Sequence, residues 1–327
     1  MSKEQPSLYI HIGLPKTAST YLQHKVFPAL RGIHYLGTPA GAPFAGRRDQ
    51  EHGRRTLTGC FQRSATIWDA LGSEIVSALV GSEPRTPSTH SILVSDEGVG
   101  REATRPELFR AHLEGLKRCA IRSGFPRLRI LCFIRRQDHW LASHYAQVSD
   151  RNADASQSDF ELTVREILDP ARGRFAFGML LDFATIYHQL ADVLATDDIL
   201  MLPYENLTGE PACFLSRIGS FLPNNADLSE RLHDSRGIQR GVNVRTRGKD
   251  TWLLRPPKSG SALRAKLKSV LRNTVRQSVT DGCSRSNGSS EIVLTTELSA
   301  TILGEFRVAN MSLAEQLKID LSRYGYY

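Results

Sequence analysis

Four runs of apolar, β-favouring residues punctuate the chain, at 8–12 (LYIHI), 91–95 (SILVS), 128–134 (LRILCFI) and 198–202 (DILML). Largely apolar runs of this length, bounded by turn-forming or polar residues, are what a strand buried on both faces of a sheet requires. Between them, apolar residues recur at helical spacing. Phe109, Leu113, Leu116 and Ala120 form one stripe, Leu180, Ala184, Tyr187, Ala191 and Leu194 a second, and Leu298, Ile302, Phe306, Leu313 and Leu317 a third. Buried strands alternating with amphipathic helices predict an α/β fold, a parallel central sheet flanked by helices, within a single domain spanning 1–327. In such sheets ligands bind beyond the carboxyl ends of the strands. Residues 38–63, rich in Gly, Pro and Arg without a clear period, predict a long loop over the sheet.

Composition changes that picture little. With 327 residues and 40% apolar content the chain can bury a full core, which excludes a disordered or collagenous protein. Charge says more, because 42 Lys and Arg against 34 Asp and Glu leave +8. The stretch 231–285 alone holds 14 Lys or Arg against three acids, a local +11, so the remainder carries −3. Within that basic segment Ala262, Leu263, Leu267, Val270, Leu271 and Val275 form an apolar helical stripe among Arg264, Lys266, Lys268, Arg272 and Arg276. Such a helix at 258–276 suits peripheral contact with an anionic membrane, an acidic glycan, or simple packing with a solvated face. No recognisable nucleic-acid motif accompanies it, and no nucleic-acid partner is expected.

The opening MSKEQPS runs straight into LYIHI without a signal-peptide core, and no apolar run approaches the roughly 18 residues of a membrane span. Five scattered cysteines without a C-x-x-C pair read as reduced thiols. Together these predict a cytoplasmic protein, with the inner membrane face as a peripheral option. Trp68, Trp140 and Trp252 read as core residues.

Directly after the first strand comes Gly13-Leu14-Pro15-Lys16-Thr17-Ala18-Ser19-Thr20-Tyr21-Leu22. Small and hydroxylated residues let backbone N–H groups approach an anion, a helix start favours negative charge, and Lys16 supplies a mobile cation. The competing reading is an ordinary turn with Thr17 or Ser19 as helix cap. The loop is not a Walker A sequence, since Pro15 rather than Gly precedes Lys16. The third strand ends in Arg135-Arg136, whose planar forks suit a terminal phosphate, and Ser143 follows about two turns into the next helix.

HIGLPKTASTYLQ resembles the 5′-phosphosulfate loop of the sulfotransferases that use 3′-phosphoadenosine 5′-phosphosulfate (PAPS), P-K-[ST]-G-T-T followed by an aromatic. The resemblance assigns Lys16, Thr17, Ala18, Ser19 and Thr20 to that loop, with Ala18 where Gly is usual. The stretch from Arg135 to Ser143-His144-Tyr145 is similar to the family's 3′-phosphate motif, with Arg136 and Gln137 in place of an acid and Pro. Either Arg could face the phosphate, and register favours Arg135. Tyr204-Glu205-Asn206-Leu207 resembles the family's Y-E-[DN]-L, whose Tyr lies near the adenine, and 317–326 is similar to the C-terminus of many bacterial members. Arg245, Arg247, Gly248 and Lys249 loosely resemble a basic lid over the 3′-phosphate. The resemblance implies a P-loop-like sulfotransferase fold, PAPS as sulfuryl donor, no metal, and a hydroxyl acceptor.

Sulfuryl transfer also needs a base at the acceptor hydroxyl. The second strand ends at Asp96-Glu97. In an extended segment the two point opposite ways, so one carboxylate faces the substrate and the other caps a helix or faces solvent. The family's carbohydrate-modifying branch has a Glu near this place, which selects Glu97 and a glycan or glycolipid acceptor of the kind met in polysaccharide biosynthesis. His11, His139 and His144 are the fallback bases. Two other functions compete: a kinase-like nucleotide transferase, which would need a Mg²⁺ site, and a basic nucleic-acid-binding protein.

Overall fold

The structure is a computed structural model that describes residues 5–37, 48–81, 90–169, 171, 175–233, 246–248, 250–256 and 291–327. The chain groups into two compact units. One comprises Met1–Arg136, Ala176–Val242 and Arg307–Tyr327; the other comprises Gln137–Phe175 and Asn243–Phe306.

The first unit is built on five strands: β1 (Ser7–His11), β2 (Ile33–Leu36), β3 (Ser91–Ser95), β4 (Arg127–Ile134) and β5 (Ile199–Pro203). They pair in the order β2-β3-β1-β4-β5, all parallel, with Leu8 opposite Ile92 on one side and Leu128 on the other. All five residues of β1 and of β3 are buried, as strands covered on both faces must be. The predicted parallel α/β sheet is therefore present. Because every strand runs the same way, β3, β1, β4 and β5 deliver their carboxyl ends to one edge, at spacings of about 4.8 Å.

The Phe109 stripe lies on a helix at Pro106–Arg122, with Phe109, Leu113, Leu116 and Ala120 buried. The second stripe is shorter than its period suggests. The helix spans Phe183–Ala191, Leu180 pairs in an isolated bridge with Ala176, and Leu194 lies beyond the helix end, although both are buried.

Two further readings need correction. Residues 48–61 of the expected loop form a 14-residue helix, Arg48–Phe61. Gly53 serves packing: a Cβ there would lie 3.0 Å from Ala78 Cβ and 3.1 Å from Leu79 N, so glycine permits close approach to the helix Ile67–Val80. Strand β2 escaped the sequence reading because it is only four residues long and carries His34 and Tyr35 among its apolar positions.

The second unit holds the helices Gln137–Val148 and Gln157–Leu168 and a small antiparallel sheet, β6 (Thr246–Gly248), β7 (Thr251–Leu253) and β8 (Glu291–Val293). The helix Thr296–Leu317, which carries the third predicted stripe, contributes to it as far as Phe306. Ile302, Phe306 and Leu313 are buried along this helix. Trp68, Trp140 and Trp252 are core residues, each 1% exposed or less. Among the described residues no helix is long and apolar enough to cross a membrane, and Cys60, Cys119, Cys132 and Cys213 are free thiols. The basic helix predicted near 258–276 falls outside the described residues, as do Arg245 and Lys249.

Candidate active site

Along the shared edge, the residues that follow β3, β1, β4 and β5 are Asp96-Glu97, the loop 12–18, Arg135-Arg136 and Tyr204-Glu205, in that spatial order. The loop stands between a carboxylate side and an arginine side.

The loop bends sharply at one glycine and two residues that are not glycine. Gly13, Lys16 and Ala18 all have positive φ, at 55°, 71° and 64°. Left-handed residues at close spacing turn successive backbone N–H groups toward one concavity, a nest suited to an anion. Thr17 Oγ1 donates to the Leu14 carbonyl at 2.6 Å, and Ser19 Oγ reaches the same oxygen at 3.3 Å. A helical turn begins at Ser19–Tyr21, with Ala18 in the N-cap position, and the Ala18 carbonyl accepts from Leu22 N at 3.0 Å. Ala18 makes no side-chain cap bond, so Thr17 and Ser19 brace the loop from within and neither serves as an ordinary helix cap.

On the β3 side the two neighbouring acids have separate tasks. Asp96 is the N-cap of the short helix Glu97–Arg101, accepting from Gly98 N at 2.8 Å, and its other oxygen accepts from Thr58 Oγ1 at 2.6 Å and Arg54 Nη1 at 2.5 Å. All of these tie Asp96 to structure. Glu97 turns to the loop instead: a Cβ on Gly13 would come 2.8 Å from Glu97 Cγ. Burial pushes the Glu97 carboxyl above the usual carboxylate range. A hydrogen bond from Ser19 opposes that, the Asp96 charge adds to it, and Arg101 and Lys16 favour the ionised form. Gly100 was missed from sequence and explains the close fit, since its Cβ would meet the Ile12 and Gly13 carbonyl oxygens at 2.6 and 2.8 Å. Two glycines within a five-residue helix after paired acids were the available signal.

On the β4 side Arg135 and Arg136 diverge. The Arg135 guanidinium donates to the Lys16 carbonyl at 3.2 Å and lies 4.9 Å from the Tyr204 ring centroid, a cation–π distance. Arg136 runs toward the chain end, with Nη1 3.0 Å from where a Gly325 Cβ would be. Arg135 is therefore the one at the loop. Thr20 is half-buried at the first turn of the helix.

Ser143 is buried in the helix Gln137–Val148 of the second unit. The fallback histidines are placed otherwise. His11 is fully buried between Phe27 and Phe133, its Nδ1 2.8 Å from Ser95 Oγ, and burial drives its pKa down to about 3, so it stays neutral. In the second unit His139 lies 3.5 Å from Asp250, and the His144 ring stacks on Trp140. Arg247 and Gly248 fall in β6.

No family model and no curated protein matches the chain. Among solved structures, a sulfotransferase from Alicyclobacillus acidocaldarius is similar over 98% of this chain and 99% of its own, at 10% identity and a TM-score of 0.50. The mouse sulfotransferase SULT7A1 complexed with PAP is similar over 96% of this chain and 85% of its own, at 10% identity and a TM-score of 0.35. The first likeness shows that the chain has the sulfotransferase fold.

Proposed function

We propose that this protein transfers the sulfuryl group of PAPS to a hydroxyl of a glycan or glycolipid. The observation that supports this reading is the close approach of Glu97 to the Lys16 loop, where a Cβ on Gly13 would lie 2.8 Å from Glu97 Cγ. A base, an anion nest and a cation thus meet at the end of one strand pair. Lys16, Thr17, Ala18, Ser19 and Thr20 hold the 5′-phosphosulfate, Arg135 the 3′-phosphate and Tyr204 the adenine face. Ser143 joins the 3′-phosphate set on the sequence resemblance alone.

In the reaction, Glu97 accepts the acceptor's hydroxyl proton as that oxygen bonds to sulfur. The bond from sulfur to the 5′-phosphate oxygen breaks in line, leaving adenosine 3′,5′-bisphosphate. Charge that develops on the leaving oxygen is met by the loop N–H groups and the Lys16 ammonium. A buried carboxylate with a raised pKa is a stronger base once ionised. The glycan or glycolipid class rests on the choice of a carboxylate rather than a His at this position. The Pro15-Lys16 order gives no support to a kinase-like reading.

Calorimetric titration with adenosine 3′,5′-bisphosphate tests the donor. The wild type binds it and Lys16→Ala binds at least about tenfold more weakly, as loss of a charge-assisted contact implies. Absence of binding by the wild type overturns the reading. Labelled PAPS presented with cell-envelope glycans, glycolipids and simple alcohols then identifies the acceptor.

A further inference from the structure

The last residues of the chain close on the segment after β5. Tyr326 is fully buried and its hydroxyl donates to Glu205 Oε2 at 3.0 Å. Glu205 Oε1 accepts from the backbone N–H of Arg136 at 3.1 Å. The two carboxylate oxygens thus hold the chain terminus on one side and the turn after β4 on the other. Around this link, Asn206 Nδ2 donates to the Tyr324 hydroxyl at 3.0 Å, Asn310 Nδ2 donates to the Tyr326 carbonyl at 3.0 Å, and Arg323 pairs with Glu210. Gly325, at φ 75°, makes the reversal that brings Tyr326 inward, and the Arg136 side chain passes where a Cβ would stand.

The held turn is the one that aims Arg135. If the Arg136 N–H loses its acceptor, the backbone that sets Arg135 over the Tyr204 ring and at the Lys16 carbonyl loses its anchor. We propose that Tyr326, acting through Glu205, is a positioning residue for the 3′-phosphate clamp, so that the C-terminal tail sets donor selectivity. This rests on the donor assignment of the preceding section, and adds that a residue with no ligand contact of its own controls one of the two phosphates.

The test compares adenosine 3′,5′-bisphosphate with adenosine 5′-monophosphate, which lacks the 3′-phosphate. Affinities for both are measured by calorimetry on the full chain for wild type, Tyr326→Phe, Glu205→Ala and Glu205→Gln, with melting temperatures alongside. Tyr326→Phe and Glu205→Ala are expected to weaken bisphosphate binding about tenfold, as a lost bond to a buried charge implies, and to change monophosphate binding less than about twofold. Glu205→Gln keeps an acceptor for the Arg136 N–H and a partner for the Tyr326 hydroxyl, so it retains the wild-type preference. Equal losses for the two nucleotides, or an unchanged preference in Tyr326→Phe and Glu205→Ala, overturn the proposal. If Tyr326→Phe fails to fold, the Glu205 pair decides alone. A wild type that binds neither nucleotide, or binds both equally, overturns the donor assignment itself.

Discussion

The two flanks of the Lys16 loop are built differently. On the β4–β5 flank both oxygens of Glu205 are bonded, and the Arg135 guanidinium donates to the Lys16 carbonyl and lies over the Tyr204 ring, although Arg135 Nε has no hydrogen-bond partner. On the β3 flank the backbone is strained and a carboxylate is left with competing demands. In the loop itself Lys16 and Ala18 occupy the left-handed region without being glycine, and Ser19 Oγ donates to the Leu14 carbonyl. In the function proposed above, the first flank binds the nucleotide and the second moves a proton. Strain and incomplete satisfaction collect where a group must change state.

The largest expected effect breaks this contrast at Glu97. Glu97→Gln keeps the shape and removes the base, so turnover falls by about 10²–10⁴ while bisphosphate affinity stays within about twofold. Undiminished turnover would remove Glu97 from the mechanism. The pH profile sharpens the same point. Because burial raises the folded-state pKa, the proton is held to higher pH than on an ordinary carboxylate, and wild-type kcat/KM rises with pH along a limb displaced upward from the usual carboxylate range. The stability consequence has the opposite slope. A raised folded-state pKa favours the fold below the ordinary carboxylate range, and that contribution is lost as pH rises through the folded value. Glu97→Gln should therefore melt higher than wild type at neutral pH, with an advantage that shrinks on acidification.

Next in size is the neighbouring acid. Asp96→Ala removes a helix cap and the oxygen that binds both Thr58 and Arg54, a loss of about 1–2 kcal/mol from the cap alone, readable by urea unfolding. Asp96→Asn retains the cap acceptor and recovers part of it. Both variants remove a charge that helps hold the Glu97 pKa up, so each moves the acid limb modestly downward, whereas Glu97→Gln abolishes it. Loss of the acid limb in Asp96→Asn would give Asp96 the role proposed for Glu97.

How far the sequence carried depended on whether a feature was local. Buried strands announce themselves by continuous apolar runs, so β1, β3, β4 and β5 were legible and with them the edge on which the site is built. The division between Asp96 and Glu97 was legible as an alternation, although only Arg54 and Thr58, from a segment read as loop, show which acid is structural. That segment misled because Gly53 looks like a helix breaker, whereas it is there for contact with Ala78 and Leu79, a tertiary reason invisible from composition. Ser95 was legible as a strand end, but its bond to the buried His11 was not, since the pairing of β1 with β3 creates it. Likewise Y-E-N-L and the C-terminal segment could be noticed separately, but nothing in either says that Tyr326 reaches Glu205 across 121 positions.

The smallest effect tests whether the strain on the β3 flank is needed. Ala18 sits at φ 64° and ψ 20°, where a Cβ costs about 1–2 kcal/mol and glycine fits without penalty. Ala18→Gly removes that cost but returns freedom to the unfolded chain, so the net gain should be about 0.5–1 kcal/mol in urea unfolding. If the strain only reflects tolerance, Ala18→Gly binds bisphosphate as wild type does and turns over as fast. If instead the methyl group stiffens the nest, the more stable protein turns over more slowly, because the loop N–H groups then have to be ordered as charge develops on the leaving oxygen rather than beforehand. A gain in stability with a loss in turnover would show that the alanine is kept for preorganisation.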